Sequence, residues 1–146
     1  MIRNDYILRL IEQLGAVLRA FVGGTAVSGL QIEDTQGMIE DSCRRALGLS
    51  YATIRAMPPE HLVELLRAGG GTWMDRCFLA GILHEYDAET SRQSGDVAQA
   101  REGAKRALYL YSVLEAEPSV PPDYELQTKS ERLMKLLGDL AASGSH

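Results

Sequence analysis

Asn4-Asp5-Tyr6-Ile7-Leu8-Arg9-Leu10-Ile11-Glu12-Gln13-Leu14-Gly15-Ala16-Val17-Leu18-Arg19-Ala20-Phe21-Val22 is the stretch that decides the fold class. At about 100° per residue on a helical wheel, Tyr6, Ile7, Leu8, Leu10, Ile11, Leu14, Val17, Leu18, Phe21 and Val22 share one arc of roughly 200°. Asp5, Arg9, Glu12, Gln13 and Arg19 lie on the other side, with Ala16 and Ala20 among them. A surface helix needs a stripe of only about 100°. An arc twice as wide predicts a helix packed against two or more neighbours. Asn4 is suited to N-cap it, Asp5 to sit at the positive end of its dipole, and Gly23-Gly24 to stop it. A membrane-surface helix would carry a strongly basic polar face, whereas this one is mixed in charge.

The rest of the chain repeats the helical pattern. A second helix is expected over residues 30–47, where Ile32, Thr35, Ile39, Cys43, Ala46 and Leu47 share a face. Gly37 weakens it, and Gly48 closes it. Ser50 is placed to cap a short turn through Ile54 and Arg55. Proline suits the first turn of a helix, so residues 59–68 form a fourth helix with Leu62, Leu65 and Leu66 inward and His61 exposed. Gly69-Gly70-Gly71 ends it. No Lys-Ser or Lys-Thr follows those glycines and no strand precedes them, so they are not a phosphate loop.

Thr72 and Asp75 have the spacing of a capping box for a helix running to about Thr90. Its apolar residues Trp73, Met74, Cys77, Phe78, Leu79, Ile82, Leu83 and Tyr86 spread almost all the way round. A helix apolar on most sides is buried on most sides, so this helix and the first are expected at the centre of the core. Residues 91–95 read as a polar turn. Asp96 caps a helix over residues 97–115, with Val97, Ala100, Ala104, Ala107, Leu108, Tyr111 and Leu114 as its stripe. Pro118, Pro121 and Pro122 break the helical pattern. Asp123 is read as the cap of a last helix ending near Ala142, with Leu126, Leu133, Leu136, Leu137 and Leu140 inward. Residues 143–146 are expected to fray. No alternating apolar run suggests a strand pair.

The expectation is an all-α, single domain of residues 1–142, with about six or seven helices packed as antiparallel hairpins. At 146 residues, 45% hydrophobic and 24% charged, the chain can bury one real core. A net charge of -5 argues against a nucleic-acid surface, although Arg101, Lys105 and Arg106 cluster on one helix. Cys43 and Cys77 are too few and too far apart for a disulfide framework or zinc site. No signal peptide is read at the N-terminus, and no apolar run approaches the roughly 18 residues of a membrane span. The expected setting is cytoplasmic.

Residues 80–118 resemble a degenerate tetratricopeptide-type hairpin, through Ala100, Ala104, Ala107 and Leu108, with Tyr111 and Pro118 beyond them. The leading Trp-x-x-Leu-Gly signature is absent in register, and no second copy follows. Arg3-Asn4-Asp5-Tyr6-Ile7, with Arg9, Ile11 and Glu12, and the later Ala107-Leu108-Tyr109-Leu110-Tyr111, resemble an uncharacterised family of small bacterial proteins. That resemblance implies a helical, tetratricopeptide-like fold and no assigned activity, so it carries over no catalytic residue.

The densest ionisable group is His84, Glu85, Asp87 and Glu89. His84 and Asp87 have metal-ligand spacing on a helix, but two ligands are too few, and a structural or solvated role is expected. No His-Glu-x-x-His or Gly-x-Ser-x-Gly motif occurs. No catalytic residue, cofactor or metal is assigned. The leading functional expectation is a non-enzymatic interaction module binding a protein partner or a second copy of itself. Its surface would include Tyr109, Leu110, Val113 and Met134. The alternative is a small-molecule sensor, or an unusual enzyme, with a pocket between helices. A cavity reached by His84, Tyr86 or Cys77 would favour it.

Overall fold

The computed structural model describes residues 5–22 and 29–143. The expected Asn4 cap, the Gly23-Gly24 stop with most of the loop after it, and residues 144–146 of the tail lie outside them. The described residues form an all-α structure of seven α-helices with no strand. They are α1 (Asp5–Val22), α2 (Gly29–Ser42), α3 (Tyr51–Ala56), α4 (Pro59–Ala68), α5 (Trp73–Gln93), α6 (Val97–Glu115) and α7 (Leu126–Ser143). No helix among the described residues is long and apolar enough to cross a membrane.

Local chemistry places most boundaries. A wide π turn, Cys43–Leu47, continues α2, and Gly48 ends it in the left-handed region at φ 73°, where glycine carries no Cβ penalty. The Ser50 hydroxyl accepts from the Thr53 N–H and starts α3. Pro59 opens α4, and the Asp96 carboxylate accepts from the Gln99 N–H at the head of α6. The expected capping box at Thr72 does not form. The Thr72 side chain makes no cap bond, and Asp75 turns inward to accept from the Tyr124 hydroxyl, 49 positions away. Asp123 likewise does not start α7 directly. It lies in a 3₁₀ turn, Pro122–Tyr124, followed by Glu125 at φ 52°.

Helix α5 is the axis of the fold. From Met74 to Ser91 only Arg76 and Thr90 are not buried, so its all-round apolar pattern is explained by enclosure. Helices α1, α3, α4 and α6 pack on it. Helix α6 runs antiparallel to it, since Gln99 meets Asp87 and Tyr111 meets Glu85, while Cys77 points to the Leu110 carbonyl. Helix α7 runs parallel to α5, with Tyr124 at Asp75 and Arg132 at Glu85.

The α5–α6 contact is tight because both helices use glycine where they cross. A Cβ on Gly103 would lie 3.0 Å from the His84 carbonyl oxygen and 3.1 Å from the Ala88 nitrogen. A Cβ on Gly81 would overlap the Tyr111 ring. Ala100, Ala104 and Ala107 are wholly buried alongside. Helix α6 also packs on α7, so it buries a wider arc than one stripe, and Leu110 lies at 0% exposure. Leu110 therefore belongs to the core and not to a partner surface. Leu65 corrects the α4 reading in the opposite sense, being 52% exposed while Val63 is buried in its place.

Candidate functional site

The first chemical feature of the structure is a column of buried ionisable groups along α5. Asp75, His84, Glu85, Asp87 and Glu89 are all buried. Burying an unpaired charge costs several kcal/mol, so each acid has a partner, mostly from another element. Tyr124 donates to Asp75. The Tyr111 hydroxyl donates to Glu85 Oε1 at 2.5 Å, and Arg132 Nη2 reaches Oε2 at 2.5 Å. Gln99 Nε2 donates to Asp87 Oδ2 at 2.7 Å. Arg55 Nε lies 2.9 Å from Asp87 Oδ1 as an ion pair without hydrogen-bond alignment. Glu89 is held by Arg92 one turn on. Burial, then the Glu85 carboxylate, pushes the Tyr111 phenol well above its ordinary range, so it stays a donor. Asp75, Glu85 and Asp87 thus pin α5 to other elements, while Glu89 is paired within α5.

His84 is the exception. It is 1% exposed, and neither ring nitrogen has a hydrogen-bond partner. Burial, with Arg106 and then Arg55 nearby, pushes it down to about 4. No group of three or more His, Cys, Asp or Glu among the described residues is placed to hold a metal. The cysteines are not nucleophiles in waiting, since burial pushes both thiols up to about 12 and only the thiolate is reactive.

Two clefts open toward this column. The smaller, about 700 Å³, lies over the C-terminal half of α5 and includes Tyr51, Arg55, Tyr86 and Asp87. Its charged base is already satisfied by the Arg55–Asp87 pair. Of the three residues expected at a pocket, Tyr86 lines this cleft, whereas His84 and Cys77 line neither.

The larger cleft, about 820 Å³, lies between α1 and α7 over α5, within the size range of small-molecule sites. Leu8, Ile11 and Leu18 of α1 form one wall, Phe78 and Ile82 of α5 the floor, and Tyr124, Thr128, Lys129 and Arg132 the other wall. This explains the width of the α1 arc. Ile7, Leu10, Leu14 and Leu18 are buried in the core, while Leu8 and Ile11, half-buried, face the cleft.

Three details set this cleft apart. The Lys129 ammonium lies 5.5 Å from the Phe78 ring centroid, half-buried. Among the described residues it has no hydrogen bond or ion pair. Burial pushes its pKa down, partly offset by Glu85. Gly15 also lines the cleft. A Cβ there would meet only Arg19 Nη1, another cleft group, at 3.5 Å, so no core contact requires the glycine. It weakens α1 by about 1 kcal/mol relative to alanine and leaves space in the cleft. Glu125 on the rim is the only non-glycine residue with positive φ among the described residues, a conformation that costs of order 1–3 kcal/mol and clusters at functional positions.

The remaining expected surface residues differ in exposure. Met134 is 57% exposed, whereas Tyr109 and Val113 are half-buried against the core. Arg106 turns inward to the Arg55 carbonyl, so Arg101, Lys105 and Arg106 do not form a free basic face. Sequence reasoning missed Lys129, yet it sits on the inward stripe of α7 (Leu126, Lys129, Leu133, Leu136, Leu140), and a lysine at such a position is the signal that was legible.

Comparisons with protein-family models, curated proteins and solved structures find no match for this chain. The resemblances noted for residues 3–7 and 80–118 therefore stand on those residues alone.

Proposed function

We propose that this protein is a non-enzymatic, small-molecule-binding helical bundle whose site is the cleft between α1 and α7. The observation that carries this reading is the half-buried Lys129 ammonium, held over Phe78 without an acidic partner among the described residues. A protein domain that needed Lys129 only for stability would pair it or extend it to water. The acids of α5 are engaged with structural partners, and neither cysteine is poised to react, so no catalytic constellation among the described residues competes with a binding role. On this reading α5 and α6 act as a tetratricopeptide-type hairpin, a view supported by their close approach through Gly103, Ala104 and Ala107. A cytoplasmic setting suits the two unpaired cysteines.

A protein-docking or self-associating module is the second reading. Met134 favours it, but the other exposed large apolar residue, Leu65, belongs to a different helix, and scattered apolar residues are normal on a surface.

The test is a thermal-shift screen of a metabolite panel on the wild-type chain and on Gly15→Phe, which fills the cleft without entering the core. A ligand at a hundredfold excess over its Kd stabilises the native state by about 2.7 kcal/mol, a shift of several degrees. At least one compound should produce that shift in the wild type and lose it in Gly15→Phe. A panel in which every shift persists in Gly15→Phe would overturn the cleft as the site.

A further inference from the structure

We propose that the α1–α7 cleft takes a carboxylate-headed amphiphile, with the carboxylate against Lys129 and the apolar body along Leu8, Ile11 and Gly15. This rests on the cleft being the binding site. The two walls of the cleft differ in chemistry. The α1 wall offers an apolar strip of Leu8, Ile11 and the bare backbone of Gly15, edged by the exposed Asp5, Arg9, Glu12 and Arg19, and the α7 wall offers Thr128, Lys129 and Arg132 over the Phe78 floor. A ligand that satisfies both must be apolar along one side and anionic at one end.

The charge of the head follows from the partners already in place. Arg132 is committed to Glu85 at 2.5 Å, and Arg9 and Arg19 on the same lining are exposed, where water screens them, which leaves Lys129 as the half-buried, uncompensated cation on the inner wall. One ammonium matches one negative charge. A phosphate monoester brings about 1.5 to 2 negative charges, and the exposed acids of the same cleft, Asp5, Glu12, Asp123 and Glu125, outnumber its exposed arginines, Arg9 and Arg19, and repel the excess. A single carboxylate avoids that penalty. The body follows from the length of the wall. Leu8 to Leu18 spans about 15 Å at 1.5 Å per residue, enough for an extended medium-length chain or a fused aromatic system. The Phe78 ring keeps the ammonium partly desolvated before the ligand arrives, which strengthens its attraction for an anion.

Isothermal titration with four probes tests the assignment: octanoate, octanol, octyl phosphate and acetate, on the wild type, Lys129→Met, Lys129→Arg and Gly15→Phe. Far-UV circular dichroism and thermal melts establish that each variant is folded. Octanoate should bind the wild type at least about tenfold more tightly than octanol or octyl phosphate, with acetate undetectable. Lys129→Met should remove that preference and leave octanol unchanged, Lys129→Arg should restore most of it, and Gly15→Phe should abolish octanoate and octanol binding together. If octanol or octyl phosphate binds as well as octanoate while Gly15→Phe still blocks them, the carboxylate assignment falls and the cleft stands. If octanoate binds equally to Gly15→Phe and the wild type, the cleft falls as well. No octanoate binding to the wild type overturns the carboxylate assignment, and the metabolite screen then judges the cleft separately.

Discussion

His84 should make this protein sensitive to mild acid, and replacing it should remove that sensitivity. The imidazole is 1% exposed with no partner for either nitrogen. Arg106 from α6 and Arg55 from α3 face it, and with burial they hold it near 4. In the unfolded chain it titrates near the ordinary 6.5. Between those values the unfolded state binds a proton that the folded state refuses. The native state therefore loses stability as pH falls from about 6.5 to about 4 and loses no more from this group below that. The gap is worth roughly 3 kcal/mol, a large part of the roughly 5–15 kcal/mol that holds a typical domain together. His84→Leu keeps an apolar side chain of similar reach and discards two buried unsatisfied nitrogens, each of which costs about 1–3 kcal/mol. Urea unfolding of both proteins at several pH values between about 7 and 4 gives the difference directly. Acid titration of the carboxylates common to both chains cancels in it. The variant should be more stable at neutral pH, and its advantage should widen by roughly 3 kcal/mol toward pH 4. A constant difference across that range, or a variant less stable at neutral pH, would show that His84 has an unseen partner.

Gly81→Ala should destabilise by about 1–3 kcal/mol, read as a fall in Tm, because the new methyl overlaps a Tyr111 ring that Glu85 holds in place. An unchanged Tm would mean the α5–α6 crossing is looser than described. Arg132→Met leaves the buried Glu85 carboxylate with Tyr111 alone and should cost about 3–5 kcal/mol, while Glu85→Leu combined with Arg132→Met should recover part of it, less the roughly 1–3 kcal/mol of leaving the buried Tyr111 hydroxyl without its acceptor. Denaturant curves of the two singles and the double check this, and additive losses would contradict a direct pair. Leu110→Ala should cost about 2–5 kcal/mol in the same assay, as a core residue at 0% exposure would. A change within about 0.5 kcal/mol would return Leu110 to the surface.

Much of the fold was legible because its signals are local. Pro59, Gly48, Ser50 and Asp96 act on neighbours within four positions, and the helices Pro59–Ala68 and Val97–Glu115 begin where Pro59 and Asp96 place them. The errors share a different origin. Thr72-x-x-Asp75 has the spacing of a cap, but Asp75 is claimed by Tyr124 across 49 residues. Leu110 looked like the outer side of α6 because one stripe was counted where two helices, α5 and α7, press on it. Glu85 and Asp87 read as structural or solvated acids on a helix end, and their burial depended on Tyr111, Arg132, Gln99 and Arg55 arriving from other elements. Half of the cleft was visible as the excess width of the α1 arc. The other half, Lys129 on the inward stripe of α7, was visible as an exception to apolar periodicity. Only the fold brings the two together.

The most direct test is to titrate octanoate into isotope-labelled protein and follow methyl, aromatic and lysine side-chain signals by NMR. Shifts should be largest at Leu8, Ile11, Phe78, Ile82 and Lys129, saturate together, and spare Leu65 and Met134 on the outer surface. Perturbations centred on Met134 or Leu65, with the Phe78 and Lys129 signals unmoved, would contradict a ligand site between α1 and α7.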